Sequence, residues 1–576
     1  MSRNLARFCH YAEELCDISA PQPPSFLHSW YQAPATCGRR PRMEPPMCIF
    51  CQEKMNFHLP QRQLRASYVN TRGGNDLRLK LTRRNFLSLS ASAAAVGLLA
   101  SAAPRGTQAQ TTHARERRLL RGGTVMTLDG AWTPFIGDVL IENGQIREIA
   151  PQIAIEDAEI VDCNGKIVMP GFIDTHHHMW EGAFRSSGTD QMLNDYFLTK
   201  LVAMSPHLTP EDVYVANRLS VLAALNAGIT TTLDWSHIAN SPAHTDAAIA
   251  ALKDTGTRAV YAYAPSMNYQ GEGPNPYPQD IFRLRRDAFS SEDQLVTLAM
   301  GAMGPEFAGR TPEEAVQNAM FEWDIARHPD VQARLSVHVG VGAAGAFEPI
   351  KRLDAALKAA GTAGLGDDTT YIHCVRITDE ELGMIVDTGG TMSLAIPISM
   401  TMGMGTPPVE RLRQIAPDYR YSLSVDVPTN QGTDMFSKMK ALFMLQRSLR
   451  TQADPEACLF TFFQDPAECR DGMITAREVL EAATVQGARA NGLAHKTGTL
   501  SVGKAADIVI LDARRIDVGP MNDPIGLTAT AMDTSHVDSV MVAGEFRKRD
   551  GQLVGVDVER VLDEAEASRD AVLARF

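Results

Sequence analysis

The sequence has few cysteines, no excess of positive charge and almost no long apolar run, and each shortage excludes a class of protein. Its 576 residues hold 55 Lys and Arg against 68 Asp and Glu, so no basic nucleic-acid surface is expected. Nine cysteines, five of them in the first 80 residues, leave too few elsewhere for a disulfide scaffold. Composition is that of a globular chain, and the remaining candidate partner is a small molecule.

Only one stretch approaches the roughly 20 apolar residues that span a membrane, namely LTRRNFLSLSASAAAVGLLASAAPRGTQA at 81–109. Arg83 and Arg84 stand one residue before Phe86, no charge falls between Phe86 and Pro104, and the stretch ends in small residues. This pattern favours a twin-arginine export signal over a buried helix. We therefore expect a periplasmic or secreted protein with no stable membrane span once the signal is removed.

Eighty residues precede this signal, although an export signal belongs at an N-terminus. They are proline-rich and lack clear periodicity, so 1–80 is interpreted as a disordered leader or as the product of a start codon assigned too far upstream. Cys48 and Cys51 form a lone C-x-x-C pair without a second pair at zinc-finger spacing. No metal site is expected there.

The chain after residue 110 begins and ends with short alternating runs joined by tight turns. DVLIENGQIREIA is centred on Asn143-Gly144, the strongest short hairpin signal, and the same texture returns in GTLSVGKAADIVILD. Two β-rich pieces, 110–168 and 498–555, are therefore predicted to join into one small β-sandwich. The last segment, 556–576, has the pattern of a helix.

Between these pieces, strands alternate with amphipathic helical stretches, and over 169–497 this pattern predicts a (β/α)8 barrel. The candidate strands are IVMPGFIDTHH, TTTLDWSH, RAVYAYAP, LVTLAMGAM, RLSVHVG, TYIHCVRI, TMSLAIPI and YSLSVDVP. A doubly wound sheet is the alternative, but no glycine-rich fingerprint follows the first strand. The predicted fold class is α/β, a TIM-like barrel with a sandwich built from both ends of the mature chain.

Ionisable side chains stand toward the carboxyl ends of these strands, where such a barrel has its active site. They are His176, His177 and His178 on the first strand, His338 on the fifth, His373 on the sixth and Asp426 on the eighth. Side chains alternate along a strand, so His176 and His178 share a face while His177 points away. With His338 and Asp426 they offer nitrogen and oxygen ligands that suit zinc or another divalent metal. Each residue alone is more often structural, and the joint pattern carries the prediction.

Several motifs together resemble the amidohydrolase superfamily, in the branch of triazine hydrolases and S-adenosylhomocysteine or cytosine deaminases. They span about 118–555 and are PGFIDTHHH, GITTTLDWSH, SVHVG, YIHCVRITDEEL, SLSVDVPTNQGTDMFSKMKAL and GTLSVGKAADIVILD. The resemblance implies one metal ion on four ligands, which here are His176, His178, His338 and Asp426. Binuclear members carry a carboxylated lysine on strand four, whereas LVTLAMGAMGP has none. A single divalent ion is therefore expected, with zinc first and iron or manganese as alternatives.

The mechanism implied by the resemblance is metal-assisted hydrolysis. Asp426 would take a proton from the attacking water and pass it to the leaving group. His373 would contact the substrate and stabilise negative charge as it develops. Dimers are common in the resembling family, so a homodimer is an expectation by analogy.

The sequence departs from this family at strand five. Deaminases of the branch carry His-x-x-Glu there, and that Glu protonates a substrate ring nitrogen, whereas HVGVG places Val341 at its position. Losing such a proton shuttle costs about 10² to 10⁴ in rate. The preferred prediction is therefore a hydrolase of a non-peptide carbon–nitrogen bond in a small cyclic compound such as an amide, lactam or carbamate. A deaminase or dechlorinase with a relocated shuttle, and an inactive metal- or ligand-binding barrel, remain alternatives.

Three further residues are candidates for substrate contact. Trp180 follows the metal motif and can either stack on a planar substrate or pack on a loop at the rim. His237, after strand two, and Glu306, after strand four, face the same end of the barrel. Either can replace the missing acid, with a structural role as the alternative for both.

Overall fold

The structure is a computed structural model that describes residues 117–130, 132–455 and 470–576. The expected leader at 1–80 and the export signal at 81–109 lie outside the described residues. Within the described ranges, no helix combines the length and apolar character that crossing a membrane would need.

Five strands open the described chain: β1 (Arg117–Val125), β2 (Phe135–Glu142), β3 (Gln145–Ala150), β4 (Glu159–Asp162) and β5 (Lys166–Pro170). β1 pairs antiparallel with β2, and β2 pairs antiparallel with β3. Asn143 and Gly144 connect β2 to β3 with φ angles of 52° and 78°. Positive φ at both central residues is what a type I′ hairpin turn requires, which explains the Asn-Gly signal.

The next eight strands form one parallel sheet: β6 (Phe172–His177), β7 (Ile229–Ser236), β8 (Arg258–Tyr263), β9 (Val296–Ala302), β10 (Arg334–Val339), β11 (Thr369–His373), β12 (Thr391–Leu394) and β13 (Ser422–Leu423). Each strand pairs with the next in chain order. The first and last meet just beyond β13, where His178 N–H donates to the Asp426 carbonyl at 2.9 Å and Asp426 N–H to the His176 carbonyl at 2.8 Å. The predicted barrel is confirmed.

Apolar side chains from alternate strand positions form a separate core cluster: Leu233, Trp235, Val260, Ala262, Ala264, Ala299, Ile372 and Leu493. Alternation puts every second residue of a barrel strand inside. A filled interior leaves the carboxyl ends of the strands as the place where polar side chains can gather.

Helices cover the outside of the barrel and connect its strands. The α-helices are Leu193–Tyr196, Pro210–Asn226, Pro242–Asp254, Ile281–Asp287, Gly304–Phe307, Pro312–Arg327, Pro349–Ala359, Asp379–Asp387, Ile396–Thr401, Val409–Ile415, Met435–Ala453, Ala476–Ala482, Val485–Ala490, Pro524–Gly526 and Val558–Arg575. Several begin at a threonine whose hydroxyl accepts the third helical N–H, as Thr209, Thr311 and Thr378 do. Such caps satisfy backbone donors that the first turn leaves free.

The last four strands are β14 (Ile508–Asp512), β15 (Val537–Val542), β16 (Glu545–Arg549) and β17 (Gln552–Leu553). β14 pairs antiparallel with β5, so both ends of the described chain join in one nine-stranded mixed sheet. A buried ion pair ties this sheet to the barrel, since Arg258 on β8 donates to the Asp507 carboxylate at 2.6 and 3.1 Å. Two geometrically good bonds are what make a buried pair tolerable.

Several predicted strands have different bounds from those expected, and of YSLSVDVP only Ser422–Leu423 is a strand. IVMPGFIDTHH is split into β5 and β6, which belong to different sheets and meet at Gly171. A Cβ on Gly171 would lie 2.1 Å from Thr230 Cγ2, so this close approach needs glycine. TMSLAIPI ends as a strand at Leu394, because the Pro-containing helix Ile396–Thr401 follows directly.

Candidate active site

Three imidazoles and one carboxylate converge at the carboxyl ends of the barrel strands. His176 Nε2 lies 3.1 Å from His338 Nε2 and 3.4 Å from Asp426 Oδ1. His178 Nε2 lies 3.5 Å from the same Asp426 oxygen. The ligand atoms of the three histidines all lie within 4.8 Å of one another. The structure thus brings together the four residues that the sequence predicted as metal ligands.

Hydrogen bonds orient these rings. His178 Nδ1 lies 2.9 Å from the Trp235 carbonyl, which can only accept, so Nδ1 carries the proton and the Nε2 lone pair faces the centre. His338 packs edge-on against the Trp235 ring, with 4.4 Å between ring centroids. His177 turns away, and its Nδ1 lies 3.0 Å from Asp174 Oδ2. Alternation along β6 therefore separates His177 from the other two histidines, as predicted.

Asp174 supports this arrangement through hydrogen bonds, and it was not predicted from the sequence as a site residue. Its Oδ1 accepts the His176 N–H at 3.2 Å and the Val425 N–H at 3.0 Å, while its Oδ2 holds His177. One carboxylate thus ties β6 to the segment that carries Asp426. The available signal in the sequence was an aspartate within a strand expected to be buried, because a buried charge needs several hydrogen-bond donors. In the structure Asp174 is fully buried.

His373 lies on the opposite side of Asp426 from His178. Its Nε2 is 3.7 Å from Asp426 Oδ2, and its Nδ1 is 3.2 Å from Ser399 Oγ. His373 and Asp426 adopt φ angles of 67° and 70°, which lie in the left-handed region that non-glycine residues rarely occupy. Strained backbone of this kind concentrates at functional sites, where surrounding structure maintains it.

The electrostatic environment favours metal-binding protonation states. Burial lowers the pKa of His178 and His338 well below the usual value, and neighbouring histidines lower it further. Burial raises the pKa of Asp426, but the hydrogen bond from His176 and the adjacent imidazoles bring it below the usual value. Among the described residues, buried Asp426 Oδ2 has no hydrogen-bond partner. Neutral imidazoles with an ionised carboxylate are the donor set that a divalent ion requires, so these residues fit one.

Glu306 lies close to the position of the missing strand-five acid. Its carboxylate accepts the N–H groups of Gly340 and Gly342, at 2.6 and 2.7 Å, on either side of Val341. Burial raises its pKa to about 7, although these amides oppose the shift. Both oxygens are thus engaged by the backbone, and the contacts point to a role in holding the turn after β10. A substrate contact by Glu306 stays a prediction.

Trp180 and His237 lie together beside His178. The His237 ring meets the His178 ring edge-on, with 4.2 Å between centroids, and the Trp180 ring at 5.4 Å. His237 Nδ1 is 3.3 Å from the Trp235 carbonyl, and burial lowers the pKa of His237 to about 4. Trp180 is fully buried, so it is not the rim aromatic that was one of the two predictions for it. Substrate contact by either residue stays a prediction.

A further acid, Glu181, lies beside Trp180 and His237 and was also not predicted from the sequence. Glu181 follows Trp180, is fully buried, and accepts hydrogen bonds from the hydroxyls of Tyr196 and Thr429 at 2.6 and 3.1 Å. Its position three residues after the metal motif was a weak signal. Its partners Tyr196 and Thr429 lie on other segments that connect the barrel strands, and only the fold brings them close to Glu181.

A parallel barrel with imidazoles and a carboxylate converging at its strand ends has the architecture of a metal-dependent enzyme. Residues 167–547 match the model of the amidohydrolase family, which is more than half of the sequence. The chain belongs to the amidohydrolase family, and the resemblance inferred from its motifs is confirmed. It is accordingly an enzyme of the hydrolase class, in a family that depends on metal.

Individual relatives are distant. The chain is 26% identical to a 5'-deoxyadenosine deaminase of Methanothermobacter thermautotrophicus over 75% of this chain and 94% of that one. It is 27% identical to a 5-methylthioadenosine/S-adenosylhomocysteine deaminase of Symbiobacterium thermophilum over 75% and 93%. Among solved structures, a zinc-bound adenosine deaminase from Xanthomonas campestris gives a TM-score of 0.66 at 19% identity, covering 79% and 98%. A triazine hydrolase from Arthrobacter aurescens gives 0.65 at 22% identity, covering 79% and 99%. These structures bear on the fold alone.

Proposed function

We propose that the protein hydrolyses a non-peptide carbon–nitrogen bond in a small cyclic nitrogen compound, using one divalent ion held by His176, His178, His338 and Asp426. The observation that carries this proposal is the convergence of the three imidazoles at the active end of the barrel, with Asp426 Oδ1 3.4 and 3.5 Å from His176 and His178. We infer the reaction class from the family and the position of the site from the side chains at the strand ends.

The side chains divide the chemistry between them. When bound, the ion supplies Lewis-acid activation of the attacking water. Asp426 Oδ1 lies toward His176, whereas Oδ2 has no hydrogen-bond partner among the described residues and lies 3.7 Å from His373 Nε2. Asp426 can therefore take the water's proton and deliver it to the leaving nitrogen. If Ser399 donates to His373 Nδ1, then His373 Nε2 carries a proton and can stabilise the oxyanion.

Zinc is the metal we propose. Three imidazole nitrogens and one carboxylate oxygen are typical zinc ligands, and the same donors also accept iron or manganese. β9 contributes no lysine that could bridge a second ion, which supports a single-metal site. One related structure is described with bound zinc.

Two substrate classes compete for this site. A cyclic amide, lactam or carbamate needs no protonation of a ring nitrogen, which agrees with Val341 in place of the family's glutamate. An amino-substituted heterocycle is the second candidate, because the relatives at 26 and 27% identity are named as deaminases of adenosine derivatives.

A turnover panel separates the two classes. Zinc-loaded protein beginning near Gln110 is offered lactams, cyclic ureas, aminotriazines, chlorotriazines and 5'-deoxyadenosine, and His178→Ala is assayed in parallel. Hydrolysis of the lactams or ureas, lost in the variant, is the expected result. Turnover of the amino compounds would favour the second class. Full zinc occupancy without turnover of any compound would contradict the proposed function and favour a binding protein.

We also propose export through the twin-arginine pathway, supported by the paired arginines before the apolar stretch at 81–109. Replacing both Arg83 and Arg84 with Lys should leave the full-length protein inside the cell. Cell fractionation checks this expectation, and unchanged export of the double variant would contradict it.

A further inference from the structure

Glu181 is a buried acid that lacks a charged partner. It lies in the 3-10 helix Met179–Phe184, directly after the metal motif, and its side chain is fully buried. Tyr196 Oη donates to one of its oxygens at 2.6 Å and Thr429 Oγ1 to the other at 3.1 Å. Both donors are neutral hydroxyls, and burial raises the pKa of Glu181 to about 8.

The nearest cation does not neutralise this acid. Lys200 contributes a favourable charge interaction to Glu181, but its Nζ donates to Ser187 Oγ at 2.7 Å and to the Ser187 carbonyl. Within the described residues, no cationic nitrogen lies inside the 4.0 Å that defines an ion pair with Glu181. A carboxylate has about four acceptor sites, and the hydroxyls of Tyr196 and Thr429 occupy two of them.

Contacts link Glu181 to the metal cluster. Tyr196 Oη, which bonds to Glu181, also lies 3.5 Å from His237 Nε2, and the His237 ring packs on His178. Thr429, the second donor, stands three residues beyond Asp426 on the same loop. The Asp426 Oδ2 atom is itself buried without a hydrogen-bond partner in the described chain. The wall of the site beside β6 and β13 is therefore rich in hydrogen-bond acceptors.

Glu322 provides a contrast elsewhere in the barrel. It also accepts a tyrosine hydroxyl, from Tyr277 at 2.6 Å, but its carboxylate further accepts the N–H groups of Met303 and Gly304, each at 2.9 Å. Its acceptor capacity is therefore used within the protein. Glu181 has the same tyrosine contact without the backbone donors.

We propose that Glu181 is a specificity-determining residue that accepts a hydrogen bond from a substrate N–H. The enzyme then selects ring compounds whose edge presents N–H donors and discriminates against their N-alkylated counterparts. This inference rests on the proposed function, because it places the substrate beside the metal cluster. It narrows the substrate class to nitrogen heterocycles that carry unsubstituted N–H groups.

Binding of two inert probes to the zinc-loaded protein tests the inference without requiring turnover. The probes are 2,4,6-triamino-1,3,5-triazine and its tris(dimethylamino) counterpart, followed by tryptophan fluorescence and by calorimetry. Wild-type protein should bind the triamino probe more tightly. At about pH 9, above the raised pKa of Glu181, Glu181→Gln should weaken that probe about tenfold, the effect of losing one charge-assisted hydrogen bond, and leave the methylated probe unchanged. The matched control Glu322→Gln should change neither affinity.

Several outcomes would overturn the inference. Equal weakening of both probes by Glu181→Gln would indicate a merely structural role, and no effect on either probe, or no binding of either, would also contradict it. Melting temperature and zinc content establish that each variant is folded. If Glu181→Gln does not fold, Tyr196→Phe keeps the carboxylate and frees an acceptor site, so its preference for the triamino probe should persist. Probe selectivity without any panel turnover would contradict the proposed function while leaving the selectivity of Glu181 intact.

Discussion

The two sides of the barrel mouth hold buried glutamates in different surroundings. After β9, the carboxylates of Glu306 and Glu322 each accept two backbone N–H groups and thereby hold turns. After β6, Glu181 accepts only side-chain hydroxyls among the described residues. Burial alone therefore does not distinguish a structural acid from one with capacity for a ligand, whereas the identity of its donors does.

This difference bears on the missing strand-five acid. Beside Val341, both oxygens of the Glu306 carboxylate are engaged by backbone N–H groups. Asp426 is then the group best placed for proton transfer at the cluster. A substrate that requires no second proton shuttle agrees with this arrangement.

A change in the metal cluster, which lies between the two sides of the barrel mouth, should have the largest effect on turnover. Asp426→Asn retains size but loses the basic oxygen, so turnover of the best panel substrate should fall by about 10⁴. Steady-state kinetics at matched zinc occupancy measures the loss. Asp254→Asn, whose carboxylate accepts a bond from Tyr214 in an exposed position, serves as the control and should retain activity. An active Asp426→Asn enzyme would contradict the assigned role.

The structural side of the comparison is tested by Glu306→Ala. This change leaves the Gly340 and Gly342 N–H groups without their acceptor, and the free energy of unfolding should fall by about 3 kcal/mol. Glu181→Gln should lose less than about 1 kcal/mol, because one of the rotatable hydroxyls of Tyr196 and Thr429 can still donate to the amide oxygen while the other accepts from the amide nitrogen. Urea unfolding of both zinc-loaded variants measures the difference. Equal losses would remove the distinction between the two sides.

Restoring an acid on strand five should change the substrate preference and so test the role of the side of the mouth around Val341. Val341→Glu places a carboxyl group where the resembling deaminases carry one, so the ratio of aminoheterocycle to lactam turnover should rise about tenfold or more. Val341→Gln is the matched control, since it adds a polar group of similar size without an acid. A rise of the same size in both variants would show that polarity rather than proton transfer is responsible.

The last expected effect is a pH dependence of stability from Glu306. Its pKa is raised by burial from 4.5 to about 7, so between these values the folded state binds more protons than the unfolded state. Unfolding free energy should therefore fall as pH rises through this window, by at most about 1.4 kcal/mol per pH unit, and level off above it. Glu306→Gln should remove this component of the slope in urea titrations. An unchanged slope would contradict the assignment.

Much of the fold was predictable because it depends on local chemistry. Asn143-Gly144 predicted a hairpin, alternation along β6 separated His177 from its neighbours, and strand ends placed His338 and Asp426 at one site. The split between β5 and β6 was not predictable, since both are apolar and Gly171 is required only by its approach to Thr230. β13 is only two residues long, because the chain leaves regular pairing to position Asp426.

The wall around Glu181 could not be predicted from spacing. Tyr196 lies on a connecting helix and Thr429 on the loop after β13, and neither has a periodic pattern that points toward Glu181. Likewise, the engagement of Glu306 depends on backbone N–H groups, which every residue except proline provides. Contacts of this kind arise from tertiary structure, whereas the histidines and the aspartate of the metal site can be recognised from their residue types.

X-ray absorption at the metal edge, combined with metal stoichiometry, tests the central claim most directly. Wild-type protein beginning near Gln110 should bind about one zinc ion per chain, with nitrogen and oxygen ligands at about 2.0–2.1 Å. His338→Ala should lose one nitrogen ligand or the ion itself. Sulfur ligation, two ions per chain, or an unaltered spectrum in His338→Ala would contradict the assignment of His176, His178, His338 and Asp426 as the metal site.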